Sequence, residues 1–110
     1  MPLDADYRDY VMALLVPLGE VTGRAMFGGY GIFEADSMFA LISGSTLYFK
    51  VNDSTRADYE AAGSSQFRPM PYWEAPAEVL EDDAELRRWA SNAIAVAHAA
   101  PKQARRKRRS

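Results

Sequence analysis

GRAMFGGYGIF, residues 23–33, sets Gly28, Gly29 and Gly31 among Met26, Phe27, Tyr30, Ile32 and Phe33, side chains that would otherwise make one β-strand. Glycine weakens a strand interior unless the backbone needs it, so this stretch either bends or lets something approach its main chain. A phosphate-cradling loop would lead from a strand directly into a helix N-terminus, where free amides meet the anion. Here Tyr30, Ile32 and Phe33 stay β-prone, no G-x-x-x-x-G-K-[ST] follows, and the spacing of a dinucleotide fingerprint is missing. The reading is therefore structural. Gly28 and Gly29 are expected to form a bulge or bend in a long strand, with Met26 and Phe27 packing on one element and Tyr30 to Phe33 on another. Gly31 has no such role and is expected to leave room for neighbouring backbone or an aromatic ring.

Working outward, short β-prone runs occupy 21–27, 30–33, 38–42 and 47–51, broken by EADS and SGS, which are short enough for hairpins. Leu47, Phe49 and Val51 alternate with Tyr48 and Lys50, so one face of that strand is buried and the other is offered to solvent or a partner. Residues 38–42 are apolar on both faces, as a central strand requires. The extended segment QFRPMPYWEAP lies between prolines and reads as an edge strand.

Helices flank these strands. Leu3, Tyr7, Tyr10, Val11, Leu14, Leu15 and Leu18 recur at three- and four-residue steps, with Asp4 as cap and Pro17 and Gly19 as the stop. A short helix over 54–62, capped by Asp53 or Asn52 and closed by Gly63, follows the fourth strand. Asp82 opens a last helix whose buried stripe is Leu86, Trp89, Ala90, Ala93, Ile94 and Ala97, and Pro101 ends it. The expected fold is α+β: a single domain with an antiparallel meander and N-terminal, middle and C-terminal helices.

Composition bounds the function. The chain of 110 residues has no cysteine, which excludes disulfides and thiolate chemistry. No basic region precedes an apolar run at the N-terminus and no apolar run reaches about 20 residues, so a cytoplasmic protein without a membrane segment is expected. The net charge of −2 hides an asymmetry. Residues 1–101 carry −8, while Lys102, Arg105, Arg106, Lys107, Arg108 and Arg109 give 102–110 a charge of +6. The expected division is a folded domain over 1–101 and a disordered basic tail over 102–110, able to hold nucleic acid weakly and without sequence preference.

Taken together, Arg24-Ala25-Met26-Phe27-Gly28-Gly29-Tyr30-Gly31-Ile32, Met38-Phe39-Ala40-Leu41-Ile42, Leu47-Tyr48-Phe49-Lys50-Val51 and Pro71-Tyr72-Trp73-Glu74-Ala75-Pro76 resemble, in order and spacing, the N-terminal domain of the TfoX/Sxy competence regulators. The similarity covers about residues 5–98. It implies an α+β fold like that of secretion chaperones, a homodimer, and a co-regulator of DNA uptake rather than an enzyme. Family-motif and interaction residues are then Arg24, Met26, Phe27, Gly28, Gly29, Tyr30, Gly31, Tyr48, Lys50, Tyr72 and Trp73.

Other constellations also admit plainer roles. Arg24, Tyr48 and Lys50 could share a sheet face and hold a small anion, or form an ordinary solvated face. Tyr30, Phe33, Tyr72 and Trp73 could stack nucleic-acid bases, although core and dimer contacts suit an acidic body better. His98, the single histidine, reads as a surface residue near a helix C-terminus, and Glu81, Asp82, Asp83 and Glu85 as cap and dipole chemistry. No catalytic group, metal or cofactor is expected.

Overall fold

The computed structural model describes residues 3–26 and 28–100. Helix α1 (Ala5–Leu15) starts where the Asp4 carboxylate accepts the Tyr7 amide at 3.1 Å, and a 3-10 turn (Val16–Leu18) containing Pro17 leads out of it. Five strands follow as β1 (Val21–Met26), β2 (Gly29–Glu34), β3 (Ser37–Ser43), β4 (Thr46–Lys50) and β5 (Tyr72–Glu74). They form one antiparallel sheet in the order β1-β2-β3-β4-β5. Helix α2 (Arg56–Ala61) separates β4 from β5; α3 (Ala77–Leu80) and α4 (Asp83–Ala99) close the described chain. The α+β class and the antiparallel meander are as the sequence reads. Both the tail 102–110 and its boundary lie outside the described residues.

Alternation divides the sheet into two faces. Tyr30 and Ile32 on β2, Ala40 and Ile42 on β3, and Leu47 and Phe49 on β4 stand in register on one face, where Val11, Leu14 and Leu15 of α1 and Leu86, Ala90, Ala93 and Ala97 of α4 complete the core. Full burial of Phe39, Phe49, Ile42 or Leu47 is worth about 1.5–3 kcal/mol each. The register slips at Ile32/Phe33: Ile32 faces Ala40 and Phe33 faces Met38, leaving Phe39 without a partner on β2. This bulge lets two successive residues, Phe39 and Ala40, both join the core.

Residues 23–33 form a tight hairpin rather than one bent strand. The chain reverses at Gly28, whose φ of 73° belongs to the left-handed region, and β1 and β2 pair from Met26↔Gly29 to Val21↔Glu34. Gly29 is a matter of space, since a Cβ there would strike the Ile42 carbonyl oxygen of β3. At Gly31 a Cβ would strike the Met26 sulfur. The room expected at that position is filled by a thioether from the same hairpin.

Two helix starts differ in an informative way. Asp82 caps α4 as expected, accepting from Ala84 at 3.0 Å and Glu85 at 3.2 Å. The middle helix begins at Arg56, later than expected, because the Asn52 side chain accepts from Ser54 and Thr55 and holds 52–55 as a turn. The short α3 was not expected.

Glu34, at the end of β2, ties three elements together. Its carboxylate accepts the Glu20 amide at 2.9 Å just before β1 and meets His98 Nε2 near the end of α4 at 2.5 Å. His98 Nδ1 lies 3.5 Å from Ser37 Oγ. The Glu20 amide, then the His98 contact, hold the Glu34 carboxyl below the usual range.

Two outcomes follow. Gly28→Ala should cost about 1–2 kcal/mol, the left-handed penalty for a residue with a side chain. Gly29→Ala should cost more, because the Ile42 carbonyl cannot retreat without parting β2 from β3; urea unfolding of the two variants gives the order. Because Glu34 has a lowered pKa in the folded chain, its stabilisation is present above the unfolded glutamate pKa and disappears as pH falls through the folded value. Denaturation midpoints measured from pH 6 downward should therefore fall less steeply for Glu34→Gln than for the unsubstituted chain, and parallel curves would contradict this.

Candidate interaction face

The second face of the sheet turns away from α1 and α4. Register places Thr22, Arg24 and Met26 of β1, Gly29, Gly31 and Phe33 of β2, Met38 and Leu41 of β3, Tyr48 and Lys50 of β4, and Tyr72 and Glu74 of β5 on it. Leu41 is buried at its centre. Met26 reaches toward it across Gly31, and Phe67, from the segment before β5, reaches toward it from the other side, so Met26, Leu41 and Phe67 line one shallow recess.

Polar and aromatic groups are paired around this cluster. The Tyr48 ring lies 5.0 Å from that of Phe67, the Arg24 guanidinium 4.8 Å from the Phe33 ring centre, and Lys50 Nζ 5.4 Å from that of Tyr72. The Tyr72 hydroxyl donates to the Met38 carbonyl at 3.1 Å, bridging β5 to β3. Burial pushes the Tyr72 phenol up to about 12, and burial followed by the Glu74 charge raises that of Tyr48. Both tyrosines are therefore neutral donors at physiological pH.

Most of the residues singled out from sequence meet here. Arg24, Met26, Gly29, Gly31, Tyr48, Lys50 and Tyr72 share the face, and Gly28 makes the turn at its rim. Tyr30 and Trp73 lie on the opposite face against the core, and Phe27 lies outside the described residues. Arg24 and Tyr48 stand in one cross-strand row with Gly31 and Leu41 between them, three strand spacings or about 14 Å apart. The aromatic set is likewise divided, with Phe33 and Tyr72 on this face and Tyr30 and Trp73 behind it.

Sequence reasoning did not find Met38, Leu41 and Phe67 as members of this face. The signal for Leu41 was its parity with Tyr48, and for Met38 its parity with Lys50 and Tyr72. For Phe67 there was none, since its position depends on the Gln66 to Trp73 bridge that lays the segment beside β5. On the helix side, a groove of about 260 Å³ between α2 and α4 is floored by Tyr59 and Trp89, whose rings meet edge to face at 4.8 Å. None of the candidate site residues lines it. His98 is a surface residue as read, but Glu34 and Ser37 engage its two ring nitrogens, and Ser37 is buried.

Among known proteins, the chain is similar over 51 residues, with 37% identity, to the DNA transformation protein TfoX1 of Aliivibrio fischeri. That match takes in 46% of this chain and 24% of the relative, so it spans about a quarter of that protein's length. The TfoX N-terminal domain matches far more of the chain, residues 13–97, from the last turn of α1 to the last turn of α4. Hairpin, sheet and closing helix all fall within that match, and the chain belongs to the TfoX N-terminal domain family.

Proposed function

We propose that the chain is a non-catalytic regulatory module in the control of DNA transformation, acting in the cytoplasm as a homodimer that offers its outer sheet face to a protein of the transcription machinery. The observation that carries this reading is the family match over 13–97, together with the similarity to a protein named for DNA transformation. A binding rather than catalytic role is supported by the one histidine, whose ring nitrogens face Glu34 and a buried serine instead of an open cleft. An interaction role is supported by the outer face, where half-buried Met26, Phe33, Met38 and Phe67 lie beside Arg24 and Lys50. Apolar area ringed by charge is the usual make-up of a protein interface. Among the described residues no helix is long and apolar enough to cross a membrane.

In a bacterium that carries this gene, its deletion should lower transcripts of DNA-uptake genes, and Phe67→Ser should reproduce the effect in a chain that still melts cooperatively. Transcripts unmoved by the deletion would overturn the reading. Sedimentation at micromolar concentration should give twice the 12.3 kDa of one chain.

The charge of the tail favours a second reading, in which six basic residues in 102–110 hold nucleic acid through its phosphates. Binding should then be lost steeply with salt, by about 0.9 in log K per phosphate neutralised and per decade of salt. Fluorescence anisotropy with two unrelated duplexes should show equal affinities at low salt and none after deletion of 102–110. Binding that survives the deletion would place the contact on the folded domain.

A further inference from the structure

The two edges of the sheet are unlike. β5 is three residues long, lies between Pro71 and Pro76, and has Gln66 bridged to Trp73 along its far side. β1 is six residues long, contains no proline and, among the described residues, pairs with β2 alone. Thr22, Arg24 and Ala25 are exposed along it. A long open edge of this kind is a template for another strand.

The direction of its backbone groups follows from one bond. The Glu20 carbonyl accepts the Ala35 amide at 2.9 Å, so the chain faces β2 at that position. Inward- and outward-facing residues alternate along an antiparallel strand, which turns Thr22, Arg24 and Met26 toward β2 and leaves the N–H and C=O groups of Val21, Gly23 and Ala25 facing outward.

We propose that β1 pairs antiparallel with β1 of a second copy about a two-fold axis through Gly23, a surface that deepens the homodimer reading above and rests on it. With the axis there, Val21 meets Ala25 of the second copy and Gly23 meets Gly23, so every outward group of both strands is matched, about six hydrogen bonds in all. Centring on Arg24 would set two guanidinium groups directly opposite each other and match fewer groups. Centring on Gly23 instead sets Arg24 opposite Thr22 of the second copy, with that copy's Glu20 on one diagonal and its Arg24 on the other, so the two guanidinium groups are no longer directly opposite and each has a carboxylate of the second copy beside it. On the core face the Tyr30 ring already covers Gly23, where a Cβ would strike it. The pairing joins two outer faces into one surface twice as long.

The test is sedimentation of the full chain and its variants over a concentration series. Ala25→Pro removes an outward N–H but no β1–β2 bond, so the variant should fold, as judged by circular dichroism and melting, and its dimer should weaken about tenfold or more. Arg24→Glu should also weaken the dimer by setting like charges together, and adding Glu20→Arg should restore it. A dimer unchanged by Ala25→Pro in a normally folded chain overturns the edge and leaves the homodimer reading standing, whereas a monomer at every concentration overturns both. If Ala25→Pro fails to fold, the charge pair decides: absence of rescue by Glu20→Arg overturns the proposal.

Discussion

The third strand has no polar side between Phe39 and Ile42, and this single fact governs the architecture. A strand buried on both faces must be central and covered twice. Helices α1 and α4 cover one face. Among the described residues no helix covers the other, and side chains drawn from the hairpin and from the segment before β5 cover it. Met26 can lie toward Leu41 because Gly31 presents no Cβ beneath it, and β2 can close on β3 because Gly29 presents none toward Ile42. The glycines of the motif thus act through what they leave empty.

This arrangement makes the outer face a small second core with a charged rim. Arg24 and Lys50 each lie over an aromatic ring, an arrangement worth about 0.5–1 kcal/mol at exposed sites, so two cations of an acidic domain are kept on this one face. The Tyr72 hydroxyl bond to β3 fixes the short β5 to the middle of the sheet. On this surface positive charge and partly exposed apolar area coincide.

What could be read from sequence was local. Asp4 and Asp82 announce helix starts because a cap bonds within three residues, and Leu47-Tyr48-Phe49-Lys50-Val51 shows its two faces because alternation is a property of the strand itself. The hairpin was visible as a break but not as a reversal, since a glycine pair allows either. The start of α2 was misplaced because Asn52 uses its side chain in a turn of its own. Nothing local marks Phe39 as a bulge or sends Glu34 to a histidine 64 residues away, because both depend on which strands and helices come to lie side by side.

Every strand pairs with its neighbour in sequence, and this has a kinetic consequence. The ladders among β1 to β4 each close only a short loop, so the entropy lost in forming them is small and that part of the sheet can grow one hairpin at a time, whereas β5 joins across residues 51–71. The contacts that span the chain belong to α4, which packs on β3 and β4 and reaches Glu34 only at its far end. Docking of that helix is the step that must await the sheet. Substitutions in its buried alanine stripe should then act mainly on how fast the protein unfolds, and those at the β1–β2 turn on how fast it folds.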